Sequence, residues 1–139
     1  MKAEVMNELF VTDSNVFIDL YSRRLQPSEE ERIIDIIEQR RVIISLVTEV
    51  EAVGGARSVE EKAYIQQLFS LMKREPFDLT MLPLALECAS NGIKAADAII
   101  GATAMFFNVT LITSDLRGFG KIPGLRLWVP KRLYRPRMS

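Results

Sequence analysis

The chain has 139 residues, 48% of them hydrophobic and 26% charged, which fits one packed domain rather than disorder. It has one cysteine, Cys88, and no histidine, which excludes an intrachain disulfide, a histidine general base, Ser–His or Cys–His nucleophiles and His-ligated zinc. Its 18 basic and 18 acidic residues balance, but Lys131, Arg132, Arg135 and Arg137 cluster at the end with no acid between them, so the rest is net acidic. Apolar runs are far too short for a membrane span, and the polar start Met1-Lys2-Ala3-Glu4 is unlike a secretory signal. A soluble cytoplasmic protein is expected.

Leu9-Phe10-Val11-Thr12 reads as a buried strand, broken by Asp13-Ser14-Asn15, with a short helix over Val16–Tyr21. Ser28 and Glu31 form a capping-box pattern for a helix running to about Arg41. Val42–Ser45 is a second strand, followed by a helix through Thr48, Glu51 and Ala52 that Gly54-Gly55 stops. Ser58 and Glu61 form another box, for a helix ending before Pro76. Phe77–Leu82 reads as a weak third strand and Pro83–Ser90 as a short helix closed by Asn91-Gly92. Ala95–Phe107 is an apolar helix with Asn108 at its end, and the strands Val109–Thr113 and Leu125–Val129 close the chain. Strands alternating with helices predict a parallel sheet with helices on both faces.

In such a sheet ligands collect at the carboxyl ends of the strands. Asp13 follows the first strand and Asp115 follows Val109–Thr113. Glu51 lies in the early turns of the helix leaving the second strand, and Asp97 in the first turn of the helix leading back to the sheet. Four acids from distant segments therefore gather on one edge. Gathered carboxylates repel, and a divalent cation is the usual remedy. Oxygen ligands without His or Cys favour Mg²⁺ or Mn²⁺, and such a site suits phosphodiester hydrolysis.

Each residue also has a plainer role open to it. Asp13 fits a helix cap, Asp97 a helix-start acid and Asp115 a turn. Ser14, Asn15 and Thr113 either orient the acids or only cap and turn. Asp19, Gly101 and Cys88 read as structural. The basic run Lys131-Arg132-Leu133-Tyr134-Arg135-Pro136-Arg137 reads as a disordered, solubilising tail, or as an RNA contact with Tyr134 stacking on a base.

Val11-Thr12-Asp13-Ser14-Asn15-Val16-Phe17-Ile18-Asp19 resembles the opening motif of PIN domains. Ile44-Ser45-Leu46-Val47-Thr48 with Glu51 resembles their second motif, whose spacing selects Glu51 over Glu49 and leaves Glu49 as a surface acid. Ala96-Asp97-Ala98-Ile99-Ile100-Gly101-Ala102-Thr103-Ala104 is similar to the third, and Leu111-Ile112-Thr113-Ser114-Asp115 with Phe119 to the fourth. The resemblance covers roughly Leu9 to Val129. It divides the chain into a polar lead-in (1–8), a PIN-like nuclease domain (9–130) and a basic tail (131–139). It implies a three-layer α/β/α fold with strand order 3-2-1-4-5. It also implies a Mg²⁺- or Mn²⁺-dependent ribonuclease with Asp13, Glu51, Asp97 and Asp115 as metal and catalytic residues. Small members are most often VapC-type toxins, held inactive by a VapB-type antitoxin and usually dimeric. Two readings stand beside the toxin: a housekeeping RNA-processing nuclease and a silent scaffold binding RNA or protein. A haloacid-dehalogenase site wants Asp-x-Asp where this chain has Asp13-Ser14-Asn15, and a receiver wants an Asp directly behind a middle strand, which Val42–Ser45 lacks.

Overall fold

The computed structural model describes residues 8–134, so most of the lead-in and the tail from Arg135 onward lie outside the described residues. Five strands form one parallel sheet: β1 (Phe10–Thr12), β2 (Val42–Ser45), β3 (Lys73–Glu75), β4 (Thr110–Ile112) and β5 (Leu127–Trp128). Their order is β3-β2-β1-β4-β5. The central strand is in register with Val42 through Phe10 on one side and with Thr110 through Phe10 on the other. Seven helices surround the sheet: α1 (Asn15–Tyr21), α2 (Pro27–Glu38), α3 (Leu46–Gly54), α4 (Val59–Phe69), α5 (Leu82–Ala89), α6 (Ala95–Phe106) and α7 (Leu116–Phe119).

Successive strand residues point to opposite faces, so a strand covered on both sides must be apolar throughout. Phe10, Val42, Ile44 and Ile112 pack with Phe17, Leu20, Ile33, Ile37, Ile65 and Phe69 from α1, α2 and α4. Val11, Ile43 and Leu111 face the other way, onto Cys88, Ala98, Ile100, Ala102 and Phe119 from α5, α6 and α7. Each fully buried Ile or Phe contributes about 1.5–3 kcal/mol. The result is the expected three-layer α/β/α architecture. Small residues let α6 sit close: a Cβ on Gly101 would come within 2.9 Å of the Ile122 side chain.

Several elements depart from expectation. The third strand is Lys73–Glu75, not Phe77–Leu82. It is a polar edge strand with little to bury, so it shows no apolar run. Residues after Phe77 instead turn into α5, with the Asp78 carboxylate accepting the Thr80 N–H at 2.9 Å. The Ser28–Glu31 box does not form, because Gln26 is the N-cap and Pro27 opens α2, leaving Ser28 inside the helix. Proline at the first helical position presets that start. The Ser58 cap does form and accepts the Glu61 N–H at 3.0 Å, but Glu61 turns its carboxylate to the Arg57 N–H at 2.6 Å. The short helix α7 is additional to the expected elements. Among the described residues no helix is long and apolar enough to cross a membrane.

The end of the described chain is tied down. The Lys131 N–H donates to the Glu29 carboxylate at 3.1 Å and the Leu133 N–H to the Arg24 carbonyl at 2.9 Å. Leu25 and Arg132 form an isolated antiparallel bridge. The solubilising-tail reading therefore fails for Lys131–Leu133, which strap the α1–α2 loop, while Tyr134 is exposed.

Candidate active site

β1 delivers Asp13 to the carboxyl edge, and the Asp13 N–H continues the ladder onto the Ile112 carbonyl at 2.9 Å. The side chain is 2% exposed. Its Oδ1 accepts the Ser14 N–H at 2.7 Å and its Oδ2 accepts the Thr113 hydroxyl at 2.9 Å. Asp13 is thus not the side-chain cap of α1; the capping position is Ser14. Thr113 works in two directions, since its hydroxyl also accepts the Asp115 N–H at 3.0 Å. One threonine after β4 therefore fixes both Asp13 and the turn that carries Asp115.

Asp115 caps α7, with Oδ1 accepting the Gly118 N–H at 2.9 Å. Glycine at 118 leaves room for that carboxylate, because a Cβ there would lie 2.5 Å from Asp115 Oδ2 and the side chain would have to shift. Glu51 stands one and a half turns into α3, behind the Ser45 cap, with Ser14 Oγ at 3.5 Å from its Oε1. Thr48, on the same helix, donates to the Thr12 carbonyl at 3.5 Å and holds α3 against β1. Glu49 points elsewhere: rather than a solvated acid, it is a half-buried partner of Arg74 on β3, at 2.7 and 3.1 Å. Asp97 is half-buried in the first turn of α6.

These four acids act on one another. Burial pushes the Asp13 carboxyl up to about 6, and the charges of Asp97 and Glu51 push the same way against its two hydrogen bonds. Glu51 is raised by desolvation and by Asp97. Asp97 is raised by desolvation and by Asp115. Lys94 is the cation that opposes the rise at Glu51 and Asp97. Among the described residues no three His, Cys, Asp or Glu side chains already stand close enough to clasp one ion together. The donor set still fits a hard divalent cation: it is all oxygen, and its mutual repulsion is what such a charge relieves.

The chain matches the PIN domain family over residues 10–125. It belongs to that family.

Solved structures repeat this PIN fold. DNA-bound VapBC from Salmonella typhimurium aligns with a TM-score of 0.72 at 20% identity, over 87% of this chain and 97% of that one. VapBC2 from Rickettsia felis, bound to a promoter DNA fragment, gives 0.71 at 18%, over 86% and 97%. A toxin–antitoxin complex from Klebsiella pneumoniae gives 0.66 at 26%, over 83% and 93%. Among curated proteins none matches.

Of the remaining expected residues, Ser14 and Thr113 touch Asp13, whereas the Asn15 side chain lines a pocket beside Asp115. Arg132 is committed to Asp19, with guanidinium nitrogens at 2.9 and 3.2 Å from the Asp19 carboxylate. Arg135 lies outside the described residues. The Arg132–Asp19 pair and α7 are features that sequence reasoning missed. An acid six places after Asp13 inside an apolar helix was a signal that Asp19 needed a partner, but nothing local named it.

Proposed function

We propose that this PIN domain is a Mg²⁺- or Mn²⁺-dependent endoribonuclease and the toxin of a VapBC-type pair, acting on RNA in the cytoplasm. The observation that carries the reading is the convergence of Asp13, Glu51, Asp97 and Asp115, with the Asp13 carboxyl driven up to about 6 by burial and by its acidic neighbours. Such a cluster is costly unless a cation occupies it, and perturbed carboxylates at a strand edge are a mark of a working site. PIN domains are generally nucleases, and the neighbours described as VapBC or toxin–antitoxin complexes support a VapB-like protein partner.

In this mechanism Asp13, Glu51, Asp97 and Asp115 hold the ion. When bound, Mg²⁺ or Mn²⁺ supplies an activated water and positive charge opposite the phosphodiester. Thr113 and Ser14 keep the two Asp13 oxygens aimed, so that the buried carboxylate does not have to be reorganised during the reaction. Lys94 moderates the repulsion between Glu51 and Asp97. With no histidine in the chain, the carboxylates are the side chains at this site that would accept a proton from water.

The test is cleavage of a pool of structured and single-stranded RNA in Mn²⁺ by wild type and by Asp97→Asn, which keeps the shape and removes a charge. Metal-dependent cutting lost in the variant supports the reading. Cutting that survives moves the site elsewhere. Absence of cutting together with absence of Mn²⁺ binding by calorimetry leaves the silent scaffold. Active protein whose overproduction leaves growth unharmed is the housekeeping nuclease rather than the toxin.

A further inference from the structure

Two pockets open at the acid edge, and Asp115 lines both. One, of about 310 Å³, is built from Asn15, Asp19, Arg24, Ser114 and Arg132 on the α1 side. The other, of about 230 Å³, is built from Lys94, Asp97, Arg117 and Lys121 between α6 and α7. The acids therefore stand at a junction with cations to either side. In the first pocket the single buried Asp19 carboxylate faces two guanidiniums. Arg132 grips it at 2.9 Å, while Arg24 stands off at 4.0 Å with its side chain 41% exposed. Against Asp19 alone the Arg24 guanidinium is in excess, and its backbone is fixed, because the Arg24 N–H donates to the Asp19 carbonyl and the Arg24 carbonyl accepts the Leu133 N–H. The amide of Asn15 and the hydroxyl of Ser114 have no hydrogen-bond partner among the described residues and add uncharged donors. In the second pocket none of Lys94, Arg117 and Lys121 is in an ion pair among the described residues.

Alternation of cations, carboxylates and cations along one edge matches a polyanion whose middle phosphate meets the acids. We propose that a single RNA strand crosses at Asp115, with the phosphate on one side of the cleaved bond held by Arg24, Asn15 and Ser114, and that on the other by Lys94, Arg117 and Lys121. The assignment rests on the nuclease reading and extends it to the path of the substrate. Arg132 serves this path by neutralising Asp19, which frees Arg24 for phosphate. Two flanking anchors also make a nucleotide dimer too short to be a good substrate.

The test is binding of a short fluorescein-labelled single-stranded RNA, read by anisotropy across a KCl series in Ca²⁺, a cation that takes the same oxygen ligands. Each phosphate contact removed flattens the plot of log affinity against log salt by about 0.7 for a single strand. Arg24→Gln and Lys121→Gln should each weaken binding roughly fivefold at moderate salt and each lose that slope, and the double variant should multiply the effects. Arg24→Lys should keep the wild-type slope, which separates lost charge from lost fold. Lys62→Gln, on the exposed face of α4, should change neither quantity. If either Arg24→Gln or Lys121→Gln behaves like Lys62→Gln, the strand does not cross both pockets and the proposal falls. The expected slopes without Mn²⁺-dependent cutting would overturn the nuclease reading alone, and cutting with unchanged slopes would overturn the strand path alone.

Discussion

Asp13 and Asp19 leave the same strand end within six residues of each other, and both are buried, at 2% and 1% exposure. Their surroundings differ in kind. Asp19 meets a bidentate Arg132 with Arg24 behind it, so its charge is matched by the chain itself. Asp13 meets an N–H, a hydroxyl and the fields of two more acids, so its charge is only partly accommodated. A carboxylate matched internally serves the fold, whereas one left unmatched beside others is a place prepared for an external cation. Burial alone does not separate the two; the sign of the neighbouring charge does.

The sharpest way to break that contrast is activity. On the proposed function, Asp97→Asn should lower Mn²⁺-dependent RNA cleavage roughly a hundredfold or more, since it would take a ligand from the unmatched cluster. Asp19→Asn, judged per folded molecule, should leave the rate within roughly tenfold. Equal losses from both would erase the distinction.

The next effect is in stability against pH. An acid raised in the folded state keeps its proton where the unfolded chain has already lost it. Asp13 goes from 3.8 unfolded to about 6 folded, so metal-free protein loses stability as pH rises through that window, about 3 kcal/mol in all. Glu51 and Asp97 shift the same way. Urea unfolding from pH 4 to 7 should show the decline, Asp13→Asn should flatten it, and saturating Mn²⁺ should oppose it. A midpoint that rises with pH over that range would mean Asp13 is as well matched as Asp19.

Removing Arg132 should cost about 2 kcal/mol, at the low end for a buried pair because the guanidinium is itself half exposed. Arg132→Ala combined with Asp19→Asn should cost less than the separate losses together, measured by the same unfolding experiment. The smallest effect is at Thr113. Thr113→Val should cost about 1 kcal/mol and raise the Asp13 carboxyl further, because its hydrogen bond lowers that group. A carbon-13 titration of the aspartates by NMR reads the shift directly.

Much of the architecture is legible in the sequence because its central strands are buried on both faces. Phe10–Thr12, Val42–Ser45 and Thr110–Ile112 must be apolar runs, and turn residues follow them. The edge strand Lys73–Glu75 has no such obligation and hides among charged residues. The placement of the four acids on one edge follows from strand and helix directions, which is why it can be reasoned out before any coordinates. What Glu49 does instead, and what answers Asp19, depends on pairs 25 and 113 residues apart. Local pattern carries no information about such distances. Likewise Ser28 looks like a cap only until Pro27, one place earlier, is allowed to start the helix.

The central strand also has a consequence for how this chain is made. β1 precedes the other strands of its sheet, yet one of its two neighbours, β4, is synthesised a hundred residues later, and the Thr113 hydroxyl that holds Asp13 arrives with it. Contacts of such long range are slow to form and cannot form at all on a half-made chain. The four acids therefore have no common address until β4 and the turn after it have been made, so a product truncated before them is a bystander and not a weaker version of the whole.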